Sequence, residues 1–276
     1  MWRFILTLTI ASLGLGWILR ERRRHARRQR LFSNPFPDEW VGILEQNVPL
    51  YRLLPESLRR ELHGHINVFL DEKSFEGCGG LELTDEIRVT IAAQACILLL
   101  NRKTRCYPRL VSILVYPSAY VANEVKGGGS IEVIDRQVRL GESWHHGAVV
   151  LSWDTVMHGA SDIRDGHNEV LHEFAHQLDQ EDGSADGAPI LEQRSRYVTW
   201  ARVLNRDYEE LRKKAQHGRR TVMGHYGAVN PAEFFAVLTE TFFEKPKQLK
   251  KKHPELYDEV RNFYNVDPLE WHKQKS

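Results

Sequence analysis

The sequence predicts an α+β domain that is mostly helical, with one small mixed sheet beside the helix that carries its chemistry. Three observations lead there. Apolar residues recur at helical spacing over most of the chain. Three short β-branched runs, at residues 110–116, 131–140 and 148–153, stand between turn signals and read as strands. Shortly after them comes an amphipathic stretch containing the pentapeptide His172-Glu173-Phe174-Ala175-His176. At 276 residues, with 42% hydrophobic and 27% charged side chains, the chain can bury a sizeable core and falls outside the disordered and fibrous classes.

The chain opens on residues 4–19, uncharged and mostly apolar, with Trp2 and Trp17 near the ends. As a helix they would cover about 24 Å, slightly short of a hydrocarbon core of roughly 30 Å. With Trp2 and a snorkelling Arg3 added, residues 1–33 are expected to form a membrane-anchor helix and a basic juxtamembrane segment. Residues 1–30 hold eight Arg against Glu21 alone, so the remainder keeps 30 of the 38 basic and 36 of the 37 acidic residues. Arg on the C-terminal side of the span predicts a body tethered to the cytoplasmic face of the inner membrane. The run Arg20–Arg30 is also suited to anionic lipid. A body of net negative charge argues against direct nucleic-acid binding. Cys78, Cys96 and Cys106 are odd in number and lack Cys-x-x-Cys spacing, which argues against a disulfide framework and a cysteine zinc ribbon.

Ser33-Asn34-Pro35-Phe36-Pro37 is a breaker cluster and marks the start of the folded domain, residues 34–276. Residues 38–46 and 58–70 have helical apolar spacing. Thr84 can cap a helix that has Asp85 and Glu86 in its first turn and runs to about Leu100. Gly127-Gly128-Gly129 reads as a hairpin tip, since it lacks the lysine and following helix of a phosphate loop. Asp165 and Gly166 open the pentapeptide helix, which ends near Gln180. A long amphipathic stretch covers residues 191–216. Asn230-Pro231-Ala232-Glu233 is a helix start, with Asn at the cap, Pro at the first helical position and Glu at the third. A last helix spans about residues 254–264.

On a helix, His172 and His176 lie one turn apart on one face and can chelate a zinc ion, with Glu173 beside them as general base for a water. Catalytic zinc usually keeps three protein ligands. The metzincin pattern would need Gly at position 179 and His at position 182, where this chain has Asp179 and Asp182. The remaining source is a later helix, which offers Glu233 and Glu240, seven apart and nearly on one face. Glu233 also has an ordinary reading as a capping-box partner of Asn230, and spacing alone leaves the two acids level. Asp179 is a candidate for orienting a ligand histidine. His63, His65, His145, His146, His158 and His167 lack partners at ligand spacing that compete with the pentapeptide.

Residues 172–179 (HEFAHQLD), Tyr226 through Glu233 (YGAVNPAE) and residues 234–243 (FFAVLTETFF) together resemble the Mlc titration factor A family of zinc metallopeptidases. So do Gly141-Glu142-Ser143-Trp144 and residues 147–153 upstream. The resemblance implies a zincin-like fold related to the catalytic domain of anthrax lethal factor, and makes Glu233 the third zinc ligand. It maps a candidate oxyanion stabiliser onto Tyr226. It further implies aminopeptidase-like hydrolysis of a peptide or protein substrate and a regulatory partner, the repressor Mlc. A different class of function, a non-catalytic protein that sequesters a transcription factor, is the alternative. An extended substrate would add along the strand at residues 148–153.

Overall fold

The computed structural model describes residues 2–102, 105–119 and 147–271, with side chains from residue 16 onward. Helix α1 (Trp2–Phe32) leads to α2 (Asp38–Asn47), α3 (Pro49–Leu53) and α4 (Glu56–Glu72), then strand β1 (Ser74–Gly77), helix α5 (Asp85–Ile97) and strand β2 (Ser112–Tyr116). Strand β3 (Ala148–Ser152) runs directly into α6 (Trp153–Ser161). The rest is helical: α7 (Glu169–Asp179), α8 (Arg196–Gln216), α9 (Pro231–Glu244), α10 (Pro246–Lys252), α11 (Pro254–Tyr264) and α12 (Pro268–Trp271).

The α+β expectation holds, and its sheet needs correction. The described strands are all parallel, in the order β1-β2-β3, with Ser74 opposite Ser112 and Ser112 opposite Ala148. Parallel neighbours need a crossover, and α5 supplies it between β1 and β2. Strand β1 is absent from the expected set because Ser-Phe-Glu-Gly offers one apolar side chain and no alternation to read. The expected strand at residues 131–140, the triple glycine at 127–129, residues 141–144 and the pair His145-His146 lie outside the described residues. Trp153, expected to end a strand, begins α6 instead. Along β2 and β3 the side chains of Ile113, Val115, Val149 and Leu151 are buried, so one face of the sheet meets the core.

The expected anchor falls largely on side chains outside the described set. Among the described residues, no helix is long and apolar enough to cross a membrane. What α1 does show is attachment of its C-terminal half to α4. Arg27 Nη2 lies 2.7 Å from Asp71, Arg28 pairs with Glu72, and Phe32 packs edge-on against His65. Trp17 remains 67% exposed.

Helix α9 organises the second half of the molecule. Every residue from Ala232 to Glu244 is buried, so the helix is enclosed on all sides, its polar residues included. It contacts α7, α8, α10, α11 and the 3₁₀ turn His225–Ala228. Helix α7 lies between α9 and the β3 edge, and Phe174 plugs it into the core against Tyr107 and Phe69, with ring centroids 4.8 Å and 5.7 Å away. The apolar positions of the pentapeptide therefore anchor the helix, and its histidines turn to α9.

Candidate metal centre

Each of the two site helices starts at an Asn cap. Asn168 Oδ1 accepts from the Leu171 N–H at 3.0 Å, and Asn230 Oδ1 accepts from the Glu233 N–H at 2.9 Å. These bonds satisfy donors that a helix leaves without intrahelical partners, and so fix where each helix begins. His172 and His176 then project from consecutive turns of α7, and Glu233 from the first turn of α9.

The three side chains converge. His172 Nε2 lies 3.0 Å from Glu233 Oε2 and 3.2 Å from His176 Nε2, and His176 Nε2 lies 3.5 Å from Glu233 Oε2. Their ligand atoms all fall within 4.8 Å of one another, close enough to share one metal ion. Two imidazoles and a carboxylate form a donor set used by catalytic zinc. Glu240, the other acid that spacing allowed, takes a different place. Its Oε1 lies 2.7 Å from His172 Nδ1, on the side of the ring away from Glu233, and its Oε2 accepts from the Asn168 N–H at 2.6 Å.

Buried charges cost several kcal/mol unless they are paired, and here they are paired. Burial works against a charge on His172, but the bonds to Glu233 and Glu240 outweigh it and push its pKa up to about 10. Burial likewise opposes ionisation of Glu233, yet the bonds to His172 and His176 pull its carboxyl down to about 2. Without metal, a proton on His172 thus sits between two carboxylates, in a place electrostatically suited to a cation.

Glu173 is only 4% exposed, and its Oε2 has no hydrogen-bond partner, an arrangement that wants an unseen one. Glu173 follows His172 on α7 and acts on it electrostatically, which keeps a buried acid close to the first of the three candidate ligands. Tyr226, in the 3₁₀ turn just before α9, is 41% exposed, with its ring centroid 5.8 Å from that of His172. The sequence-derived residues His172, Glu173, His176, Tyr226 and Glu233 therefore lie in one place.

Asp179 does not orient a histidine. Its Oδ2 accepts from the Gly187 N–H at 2.9 Å, tying down the loop between α7 and α8, while burial pushes its pKa up to about 7 against the pull of that bond. His63 stacks on Phe36 and bonds to Tyr51, and His65 lies 3.5 Å from Glu61. Sequence reasoning overlooked a second group, Asp207, Glu210 and His253. There His253 Nδ1 lies 2.6 Å from Asp207 Oδ1, Arg206 takes the other Asp207 oxygen at 2.8 Å, and Lys214 holds Glu210. With two cations already placed, that group reads as a clamp between α8 and the start of α11.

Comparison with known proteins places the chain in a family of metallopeptidases. A family model described as glucose-regulated metallo-peptidase M90 matches residues 21–265. The uncharacterized protein slr2042 of Synechocystis sp. is 42% identical over 245 residues, covering 88% of this chain and 89% of its own. Mlc titration factor A of Serratia proteamaculans is 33% identical over 235 residues, 84% of this chain and 88% of the relative. Its namesake in Yersinia pestis is 30% identical over the same length, 84% and 85%. The match spans every residue of the candidate centre, and the chain belongs to the glucose-regulated metallo-peptidase M90 family.

Proposed function

We propose that the chain is a zinc-dependent peptidase of zincin-like fold, formed by residues 34–276, that hydrolyses peptide bonds in an aminopeptidase-like manner. The observation that supports this most is the convergence of His172 Nε2, His176 Nε2 and Glu233 Oε2, with the buried Glu173 next to His172 on α7. His172, His176 and Glu233 would hold the ion. Zinc bound there supplies a Lewis acid for the substrate carbonyl and brings the pKa of a coordinated water towards about 7.

The chain's own groups divide the remaining work. Glu173 accepts the proton of the attacking water and delivers it to the leaving amine, for which a carboxylate open to the site is required. The Tyr226 hydroxyl donates a hydrogen bond towards the carbonyl oxygen as negative charge develops on it. An extended substrate adds along β3, which is one of the two edge strands among the described residues, and its scissile bond lies over α7. Glu173→Gln keeps the side-chain shape and removes the base. It should retain zinc and lose hydrolysis of a panel of aminoacyl and peptide substrates, which a chelator should also abolish in the wild type. Wild-type turnover by that variant sinks the assignment.

A second reading draws on the relatives named Mlc titration factor A. In it the chain binds an Mlc-like repressor. The two roles separate in a pull-down with the Glu173→Gln protein, since repressor binding should survive the loss of turnover.

A further inference from the structure

Helix α9 is buried all round and still carries three carboxylates, Glu233, Glu240 and Glu244, on the face turned to α7. Glu233 belongs to the proposed centre, and the other two call for their own explanation. We infer that Glu240 is a positioning residue for the metal, holding the His172 imidazole with its proton on Nδ1 and Nε2 aimed at the ion. This rests on the reading of His172, His176 and Glu233 as ligands.

The geometry is restrictive. Glu240 uses both oxygens, one 2.7 Å from His172 Nδ1 and one accepting from the Asn168 N–H at 2.6 Å, so it cannot turn without breaking a bond. The opposite ring nitrogen faces Glu233 at 3.0 Å. A flipped ring would present carbon atoms to both acids. Asn168 is in turn fixed, since its Oδ1 caps α7 and its Nδ2 donates to Gln94 at 2.9 Å and to Glu244 at 3.2 Å. The acid is thereby pinned to the start of the very helix whose first histidine it orients. An ionised acceptor on Nδ1–H also raises the basicity of Nε2, and partners of this kind commonly change metal affinity by about 10–100-fold.

The competing account makes Glu240 a charged cap for α7, of structural value only. Chelator competition on wild type, Glu240→Gln and Glu244→Gln separates the two, with thermal melts of the metal-free proteins alongside. The Glu240→Gln side chain can still accept from Asn168 through its oxygen. It then turns an NH₂ to His172, which forces the ring proton onto the metal-facing nitrogen. We expect zinc affinity to fall by about 10–100-fold in Glu240→Gln and to stay at the wild-type value in Glu244→Gln, which disturbs the same Asn168 but not the histidine. Wild-type affinity in Glu240→Gln overturns the inference, as does an equal loss in Glu244→Gln. A wild type that takes up no zinc overturns the metal reading itself. Should Glu240→Gln not fold, nitrogen NMR of the zinc-loaded wild type decides. A proton on His172 Nδ1 supports the inference and a bare Nδ1 overturns it.

Discussion

Glu233 serves two ends with two different groups. Its backbone N–H goes to the Asn230 cap at 2.9 Å, and its carboxylate goes to His172 and His176. In the sequence the capping box and the ligand are rival uses of one side chain; in the fold the Asn230 cap takes only the Glu233 N–H, and the carboxylate lies on the histidines instead. Glu244 makes a different use of burial. Being enclosed, with Glu240 and Asp165 nearby, pushes its pKa up to about 8 despite the bond from Asn168. The sign follows directly. A carboxyl raised from 4.5 binds its proton more tightly when folded, so it weakens the fold progressively as pH rises from about 4.5 to about 8, and by a constant amount above that. Glu244→Gln in the metal-free protein should therefore melt higher than wild type at pH 8, with the gap closing below about pH 4.5. A gap independent of pH would refute this account of Glu244.

Two helix starts and one loop set the distance between α7 and α9. The loop is held where Asp179 accepts from Gly187, whose own carbonyl takes the Trp200 indole N–H at 3.1 Å. Gly187 has φ +76°, and a Cβ there would meet the carbonyl oxygen of Pro231, the first residue of α9, at 2.5 Å. Gly187→Ala should then lower the melting temperature and loosen zinc together, since the clash pushes directly on the helix that carries Glu233. An unchanged melt would show that the loop does not brace α9. Asn230→Ala should cost about 1 kcal/mol in denaturant unfolding and also weaken zinc. A loss of stability with wild-type zinc affinity would mean that the cap does not position Glu233. Much of this was legible beforehand. Thr84, Asn230 and Pro231 announced their helices, and the predicted helix at residues 254–264 matches α11. Glu240 was legible only as a buried acid close to the site; its two bonds, to His172 Nδ1 and to the N–H of Asn168, 72 positions away in the chain, come from the fold. Strand β1 was not legible, because its existence depends on pairing with β2 more than on its own four residues.

Across the whole molecule, the attachment of α1 to the body and the family match begin at the same point. The described contacts of α1 with the body begin at Glu21, 3.8 Å from Arg105, and continue through Arg27 and Arg28 to Phe32. The family match also begins at residue 21. A chain lacking residues 1–20 should therefore keep the melting temperature and the zinc affinity of the full chain. A fall in either would place part of the folding unit in the first twenty residues. The body beyond that point presents one centre in which every acid of the buried helix α9 faces α7. The most direct test is the zinc content of purified wild type, Glu173→Gln and Glu233→Ala, measured side by side with peptide hydrolysis. We predict one zinc per chain and turnover in the wild type, one zinc and no turnover in Glu173→Gln, and neither in a folded Glu233→Ala. Stoichiometric zinc in Glu233→Ala, held as tightly as in the wild type, would contradict the account.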